Sequence, residues 1–316
     1  MGTVTRVGIV GQGHVGAHVA NSLILQGIAD ELVLCDINGS KLAAEVQDLN
    51  DSLAFCPHNV AIESAADQYE ALADCDVIVN AAGDVSASAQ DRDGELFVTT
   101  AITQSFPQRI VAAGFSGVWV TIANPCDVIA TQIWHLTDYD PRKIIGSGTA
   151  LDSSRMRHVL SKATGYDQHS IGAYMLGEHG FSQFTAWSNV NFGGKPLAEL
   201  EAEQPERFTF DKDALEEKAR KGGYVAMAGK HCTEYAVANA AARLVRAVVS
   251  NEHFITACGT LMTGQYGEEG LWASLPCVVG ANGVEEVIEL DLTAEEVEKF
   301  HASCAHIRSN IERAGV

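Results

Sequence analysis

The chain has 316 residues, 47% of them hydrophobic, which is enough for two domains with sizeable cores. Lys and Arg number 21 against 41 Asp and Glu, a formal charge of −20. A polyanion such as DNA would meet a repulsive average field, so nucleic-acid binding is not expected, and no stretch approaches the ~20 apolar residues of a membrane helix.

The N-terminal run Met1-Gly-Thr-Val-Thr-Arg-Val-Gly8 leads directly into a strand pattern. It lacks the basic start, apolar stretch and small-residue cleavage site of a signal peptide, so the expected location is the cytoplasm. Arg6–Val10 reads as a strand, followed by glycines and a helix over 14–27. Glu31–Cys35 reads as a second strand ending at Asp36, with a helix over 39–53. Cys75–Asn80, Gly117–Ile122 and Lys143–Gly146 are further apolar strands. This alternation implies an α/β fold with a Rossmann-type doubly wound parallel sheet covered on both faces.

Beyond residue 150 the pattern changes, placing the domain boundary between 147 and 148. Residues 1–147 read as a dinucleotide-binding domain and 148–316 as an α+β substrate domain. Leu151–Ala163 reads as a helix, Ile171–Leu176 and Thr185–Phe192 as strands, and Ala214–Gly223 and Tyr224–Ser250 as helices. Leu271–Val279 and Val284–Leu290 read as strands, and Thr293-Ala-Glu-Glu296 starts a last helix with a capping box.

The eight cysteines lie mostly in apolar runs without a CxxC pair, so buried free thiols are expected rather than disulfides or a zinc cage. The eleven histidines show no metal-ligand spacing, and no metal is expected.

Gly11-Gln-Gly-His-Val-Gly16 follows a strand and opens a helix. Glycines there permit a tight turn and close approach of the backbone to a pyrophosphate at the positive end of the helix. Gly11, Gln12, Gly13, His14, Val15 and Gly16 are therefore cofactor-site candidates. Asp36, twenty residues after Gly16, is placed to bind ribose hydroxyls and to repel a 2′-phosphate, which selects NAD over NADP. Ala82 and Gly83 end a strand on the same sheet edge and line the cofactor path. Asn124, in Thr121-Ile-Ala-Asn-Pro-Cys-Asp127, follows another strand end.

Asp152, Arg155 and His179 bring a carboxylate, a guanidinium and an imidazole to two segments, Leu151–Arg157 and Gly177–Gly180. An arginine can clamp a carboxylate with two parallel hydrogen bonds. A histidine carries a proton near neutral pH, and a carboxylate on its other nitrogen fixes the tautomer. Taken singly, Asp152 and Arg155 suit a helix-start ion pair, and Arg92 suits a solvated loop.

Together the motifs Gly11–Gly16, Asn124-Pro125, Gly146–Arg155 and Gly177-Glu-His-Gly180 resemble the L-lactate/malate dehydrogenase family. Glu217–Tyr224 and Gly229–Thr233 look most like its L-2-hydroxyisocaproate dehydrogenase branch. The resemblance implies that His179 is the proton carrier, that Asp152 holds its imidazole and that Arg155 binds the substrate carboxylate. It further implies that Arg92, in the polar loop 83–94, polarises the 2-oxo group. Asn124 would bind near the nicotinamide and substrate, and Thr233 would line the pocket wall.

The family's specificity position falls at Ser86, where malate dehydrogenases carry arginine and lactate dehydrogenases glutamine. Serine adds neither charge nor bulk, so the expectation is an NAD-dependent L-2-hydroxy acid dehydrogenase for medium apolar 2-oxo acids such as 2-oxoisocaproate or phenylpyruvate. The alternatives are lactate dehydrogenase, then malate dehydrogenase, and, in another class, a non-catalytic NAD-binding protein. Arg157 matches one member of the family's basic pair for a sugar bisphosphate, but Gly172 stands at the other, so no such activation is expected. The resemblance also implies a homotetramer or homodimer.

Overall fold

The protein is described from a computed structural model that covers residues 4–84 and 92–316; of residues 92–94 only the backbone is described. The first half runs β1 (Arg6–Val10), α1 (His14–Gln26), β2 (Glu31–Cys35), α2 (Gly39–Ser52), β3 (Ala61–Ala66), β4 (Val77–Asn80), α3 (Arg92–Thr103), α4 (Pro107–Ala112), β5 (Val118–Thr121), α5 (Cys126–Thr137) and β6 (Ile144–Gly146). These six strands pair in parallel in the order β3-β2-β1-β4-β5-β6. The chain reverses its direction of growth between β1 and β4, and ligands on such sheets sit outside the carboxyl ends of the strands at that reversal. β4 and β5 are buried at every position, as expected for strands covered by helices on both faces.

β3 has no counterpart in the sequence reading. Its Ala-Ile-Glu-Ser-Ala-Ala is mostly exposed at the sheet edge, so it carries no apolar run to announce it.

The second half continues with α6 (Ala150–Thr164), β7 (Ile171–Gly172), β8 (Met175–Leu176), β9 (Phe184–Thr185), β10 (Asn191–Phe192), β11 (Lys195–Pro196), α7 (Leu197–Glu203), α8 (Pro205–Phe208), α9 (Lys212–Arg220), α10 (Gly222–Lys230) and α11 (Tyr235–Val249). It closes with β12 (Phe254–Thr263), β13 (Glu269–Gly280), β14 (Gly283–Val287) and α12 (Ala294–Ala314). β12, β13 and β14 are antiparallel and extend the sheet to nine strands, with Gly259 of β12 opposite Gly146 of β6. A Cβ on Gly259 would stand 3.2 Å from Gly146 Cα, so small residues set this join.

Four expectations change here. Ile171–Leu176 is not one strand but the two short strands β7 and β8, which belong to separate sheets. Thr185–Phe192 is not one strand: a 3-10 turn over Trp187–Asn189 interrupts it, held where Ser188 N donates to Glu296 Oε1 at 3.0 Å and Ser188 Oγ to Oε2 at 2.5 Å. Tyr224–Ser250 is two helices, broken where His231 adopts a φ of 64°. Residue 92 does not belong to a loop but opens α3. The Thr293 capping box is present, with Glu296 as its second member.

α1 packs on α11, where Ser22 Oγ donates to Asn239 Oδ1 at 2.8 Å. The largest cluster of buried apolar side chains joins β1, β2 and α1 to Ala241, Leu244, Val245 and Val248 of α11. Among the described residues, no helix is long and apolar enough to cross a membrane. All eight cysteines are free thiols.

Candidate active site

The cofactor fingerprint forms the turn from β1 into α1. Gly11 has a φ of 90°, and a Cβ there would lie 2.8 Å from Ala81 O and from Ala82 N, so only glycine lets the turn pass under the end of β4. A Cβ on Gly16 would stand 1.8 Å from Gly11 O, so glycine is also required for helix and turn to meet. Space is open around Gly13, whose Cβ would meet nothing within 4 Å. Gln12 is fully buried, Val15 packs against the core, and His14 is exposed.

Among the described residues, no side chain caps α1 and no acid occupies its first turn. The positive end of the helix therefore stays available to an anion. Asp36 Oδ2 accepts from Gln12 N at 2.6 Å and Oδ1 from Asn38 N at 2.7 Å, which sets its carboxylate beside the fingerprint. Ala82 is buried, with its N–H donated to Asn80 Oδ1 at 3.1 Å. Gly83 lies where a Cβ would be 3.4 Å from Thr99 Oγ1. Asn124 is exposed beyond β5 and precedes Pro125 through a cis peptide bond. The open helix end, the space at Gly13 and the acid at Asp36 fit a dinucleotide without a 2′-phosphate.

The second group is built from α6, a loop and β13. Asp152 sits in the first turn of α6, where a carboxylate gains from the helix dipole. The loop bearing His179 is pinned at Gly177, which exchanges backbone hydrogen bonds with Ser274 of β13 at 3.0 and 2.9 Å. Gly177 has a φ of 86°, and a Cβ there would strike Ser303 Oγ at 2.4 Å. Ser303 Oγ in turn accepts from Glu178 N at 2.8 Å. Ser274 Oγ also accepts from Thr149 N at 3.0 Å, so one serine holds both segments.

The result is a buried triad of charges. His179 Nδ1 donates to Asp152 Oδ2 at 2.5 Å, and Arg155 Nη1 donates to Asp152 Oδ1 at 2.8 Å. Asp152 is 1% exposed, while His179 and Arg155 side chains keep 21% of their surface. Burial pushes the His179 pKa down, but the charge and hydrogen bond of Asp152, aided by Asp127, outweigh it and raise the value. Burial pushes the Asp152 carboxyl up, yet the His179 imidazolium and then Arg155 hold it below the usual carboxylate range.

Asp127 completes the surroundings. Its Oδ2 accepts from His179 N at 2.8 Å, and its Oδ1 is buried with no hydrogen-bond partner among the described residues. Burial pushes its pKa up to about 7, against the pull of the His179 N–H and with a push from the Glu178 charge. In the sequence Asp127 is only the end of the Thr121–Asp127 motif. An acid in a helix first turn after Asn-Pro looks like a dipole-compensating residue, so nothing local marks it as a partner of His179.

Arg92 opens α3, but its side chain lies outside the described residues, as does all of Ser86. Thr233 is half-buried between α10 and α11, and its neighbours Cys232 and Glu234 are buried. Glu234 Oε2 lies 3.6 Å from His14 Nδ1, so the structure brings the Thr233 segment beside the fingerprint helix. A cleft of about 520 Å³ opens at the opposite, amino-terminal edge of the strands, lined in part by Thr5, Asp74, Ser116 and Lys143. It shares no residue with the groups above.

Residues 5–146 match the model of the lactate/malate dehydrogenase NAD binding domain, and residues 149–315 match that of the family's alpha/beta C-terminal domain. The chain belongs to the lactate/malate dehydrogenase family. As a member, it is an NAD-dependent 2-hydroxy acid oxidoreductase. An L-lactate dehydrogenase of Fusobacterium nucleatum is 37% identical over 308 residues, covering 97% of this chain and 96% of the relative. L-lactate dehydrogenase 1 of Bifidobacterium longum is 36% identical over 308 residues, covering 97% of each. The crystal structure of minor L-lactate dehydrogenase from Enterococcus mundtii in its ligands-bound form superposes with a TM-score of 0.94 at 32% identity, over 99% of each chain. Its ligands-unbound form gives a TM-score of 0.89 at 31% identity, over 99% of this chain and 98% of that one.

The three side chains offer complementary chemistry. The imidazole has Nδ1 committed to a carboxylate, which leaves Nε2 to exchange a proton. The guanidinium spends one nitrogen on Asp152 and retains donors for an anionic ligand.

Proposed function

We propose that this chain is an L-lactate dehydrogenase, reversibly reducing pyruvate with NADH. Support comes from full-length curated relatives and solved neighbours named as lactate dehydrogenases. The observation that carries the chemistry is the Asp152–His179–Arg155 cluster.

NADH, when bound over Gly11–Gly16 and Asp36, supplies a hydride to the carbonyl carbon. The protein's part is to hold the acid and move the proton. Arg155 binds the substrate carboxylate through its remaining nitrogens, and His179 Nε2 donates a proton to the carbonyl oxygen as that oxygen becomes an alkoxide. Asp152 keeps the ring oriented and stabilises the imidazolium before transfer. Arg92 polarises the carbonyl, Asn124 lies near the nicotinamide, Ser86 and Thr233 contribute to the pocket, and Ala82 and Gly83 line the cofactor path. Oxidation of lactate runs the same proton path in reverse.

In this reading residues 1–147 form the cofactor unit and 148–316 the substrate unit. The free thiols suit a reducing cytoplasm, and the working form is a homo-oligomer.

A second reading, larger apolar 2-oxo acids, retains one supporting observation. Phe181 and Tyr224 stack with centroids 5.9 Å apart and remain 52% and 41% exposed. Phe181 lies two residues after His179, and a Cβ on Gly223, beside Tyr224, would be 3.2 Å from Arg155 Nη2. An aromatic pair at that mouth suits an aliphatic or aryl tail. Values of kcat/KM for pyruvate, 2-oxoisocaproate, phenylpyruvate and oxaloacetate with NADH decide between the readings. The highest value on pyruvate supports lactate dehydrogenase; a higher value on the bulkier acids overturns it in favour of the second reading.

A further inference from the structure

We propose that His14, Cys232 and Glu234 form a binding site for a borderline-soft divalent metal, zinc above all, at the junction of the fingerprint helix and the Thr233 segment. Cys232 and Glu234 lie 218 and 220 positions after His14, which is why spacing along the sequence indicates no metal. Folding brings the ligand atoms of all three within 4.8 Å of one another, the one such cluster among the described residues.

The distances suit the chemistry. Zinc bonds of about 2.0–2.3 Å to nitrogen, oxygen and sulfur place neighbouring ligand atoms of a tetrahedron roughly 3.3–3.8 Å apart. Cys232 Sγ lies 3.3 Å from Glu234 Oε2, and His14 Nδ1 lies 3.6 Å from the same oxygen. The third edge, from His14 to Cys232, is no longer than 4.8 Å, and the His14 side chain is 67% exposed, so nothing packed around it opposes the shift that a tetrahedral edge requires. Cys232 and Glu234 are buried, so two of the three ligands are already held by packing.

The donor set selects the metal. A thiol, an imidazole and a carboxylate suit zinc, whereas magnesium and calcium favour oxygen donors throughout. Glu234 spends Oε1 on Lys230 Nζ at 2.5 Å, which leaves Oε2 for the ion. Cys232 at present donates its S–H to that oxygen. On binding, the S–H bond breaks, the sulfur's electron pair forms the metal bond and the proton leaves to solvent, with no change of oxidation state. The fourth position falls to water. His18 Nδ1 stands 3.8 Å from Glu234 Oε2 but is engaged with His14 O at 2.7 Å.

The test uses the full-length, cofactor-free protein and reads metal binding rather than turnover, so its outcome is independent of the proposed substrate. Titration with Co²⁺ is expected to give one equivalent with a thiolate-to-cobalt charge-transfer band, displaced by Zn²⁺. Cys232→Ser should lose the band, and Glu234→Gln should weaken Zn²⁺ binding at least tenfold, with circular dichroism confirming that both variants fold. Absence of the band in the native protein overturns the proposal. So does a band that survives in Cys232→Ser, because the metal would then be on one of the other seven thiols.

Discussion

His179 and Asp152 share a hydrogen bond of 2.5 Å across a contact in which the carboxylate is almost wholly buried. That contact joins the first turn of α6 to a loop pinned on β13, and it makes His179 a stronger base than a free histidine. Because Asp152 also accepts from Arg155, one acid holds both the proposed proton carrier and the guanidinium proposed to bind a substrate carboxylate.

In the proposed mechanism pyruvate reduction needs protonated His179, so its rate should be full at low pH and fall as pH climbs through the raised His179 pKa. Asp152→Asn removes the charge that raises it. The falling limb should then move to lower pH, and kcat should drop on the order of 10²-fold or more, as for other general acid–base assemblies. A pH–rate profile of both proteins checks this, and superimposable limbs would contradict it.

Arg155→Leu removes a charge-assisted clamp. Hydrogen bonds to charged groups contribute about 1.5–3 kcal/mol, so KM for pyruvate should rise about 10–100-fold. NADH affinity, read by fluorescence, should change little. An unchanged KM would assign the carboxylate to another residue.

Asp127 gives a pH dependence of stability rather than of rate. Its pKa rises from an ordinary 3.8 to about 7, so between those values the folded state holds a proton that the unfolded state releases. Its contribution is therefore fully present below pH ~4 and is lost as pH rises towards ~7, on the order of a few kcal/mol. Asp127→Asn stays neutral throughout. Melting temperatures of the two proteins should agree near pH 4 and diverge towards pH 8, with the variant the more stable. Parallel curves would show that Asp127 does not titrate in this range.

The parts legible in the sequence are those where a local rule and the tertiary environment agree. β1, the glycine turn and Asp36 could be read because strand period, glycine placement and a terminal acid all act within one βαβ unit. Asp152, Arg155 and His179 were legible as residue types in motifs, although their meeting depends on Ser274 and Ser303, which no local pattern singles out. β12 escaped because it fills a crowded position beside β6 with Ala257, Cys258 and Gly259 rather than with bulky branched residues. Cys232 and Glu234 meet His14 only because α11 docks on α1.

The most direct test of the account is kcat/KM for pyruvate in the native protein and in His179→Asn, at saturating NADH. Asparagine retains a polar side chain but cannot carry the proton, so the value should fall by about 10²–10⁴-fold while NADH still binds. A variant within a few-fold of the native protein would contradict the assignment of proton transfer to His179.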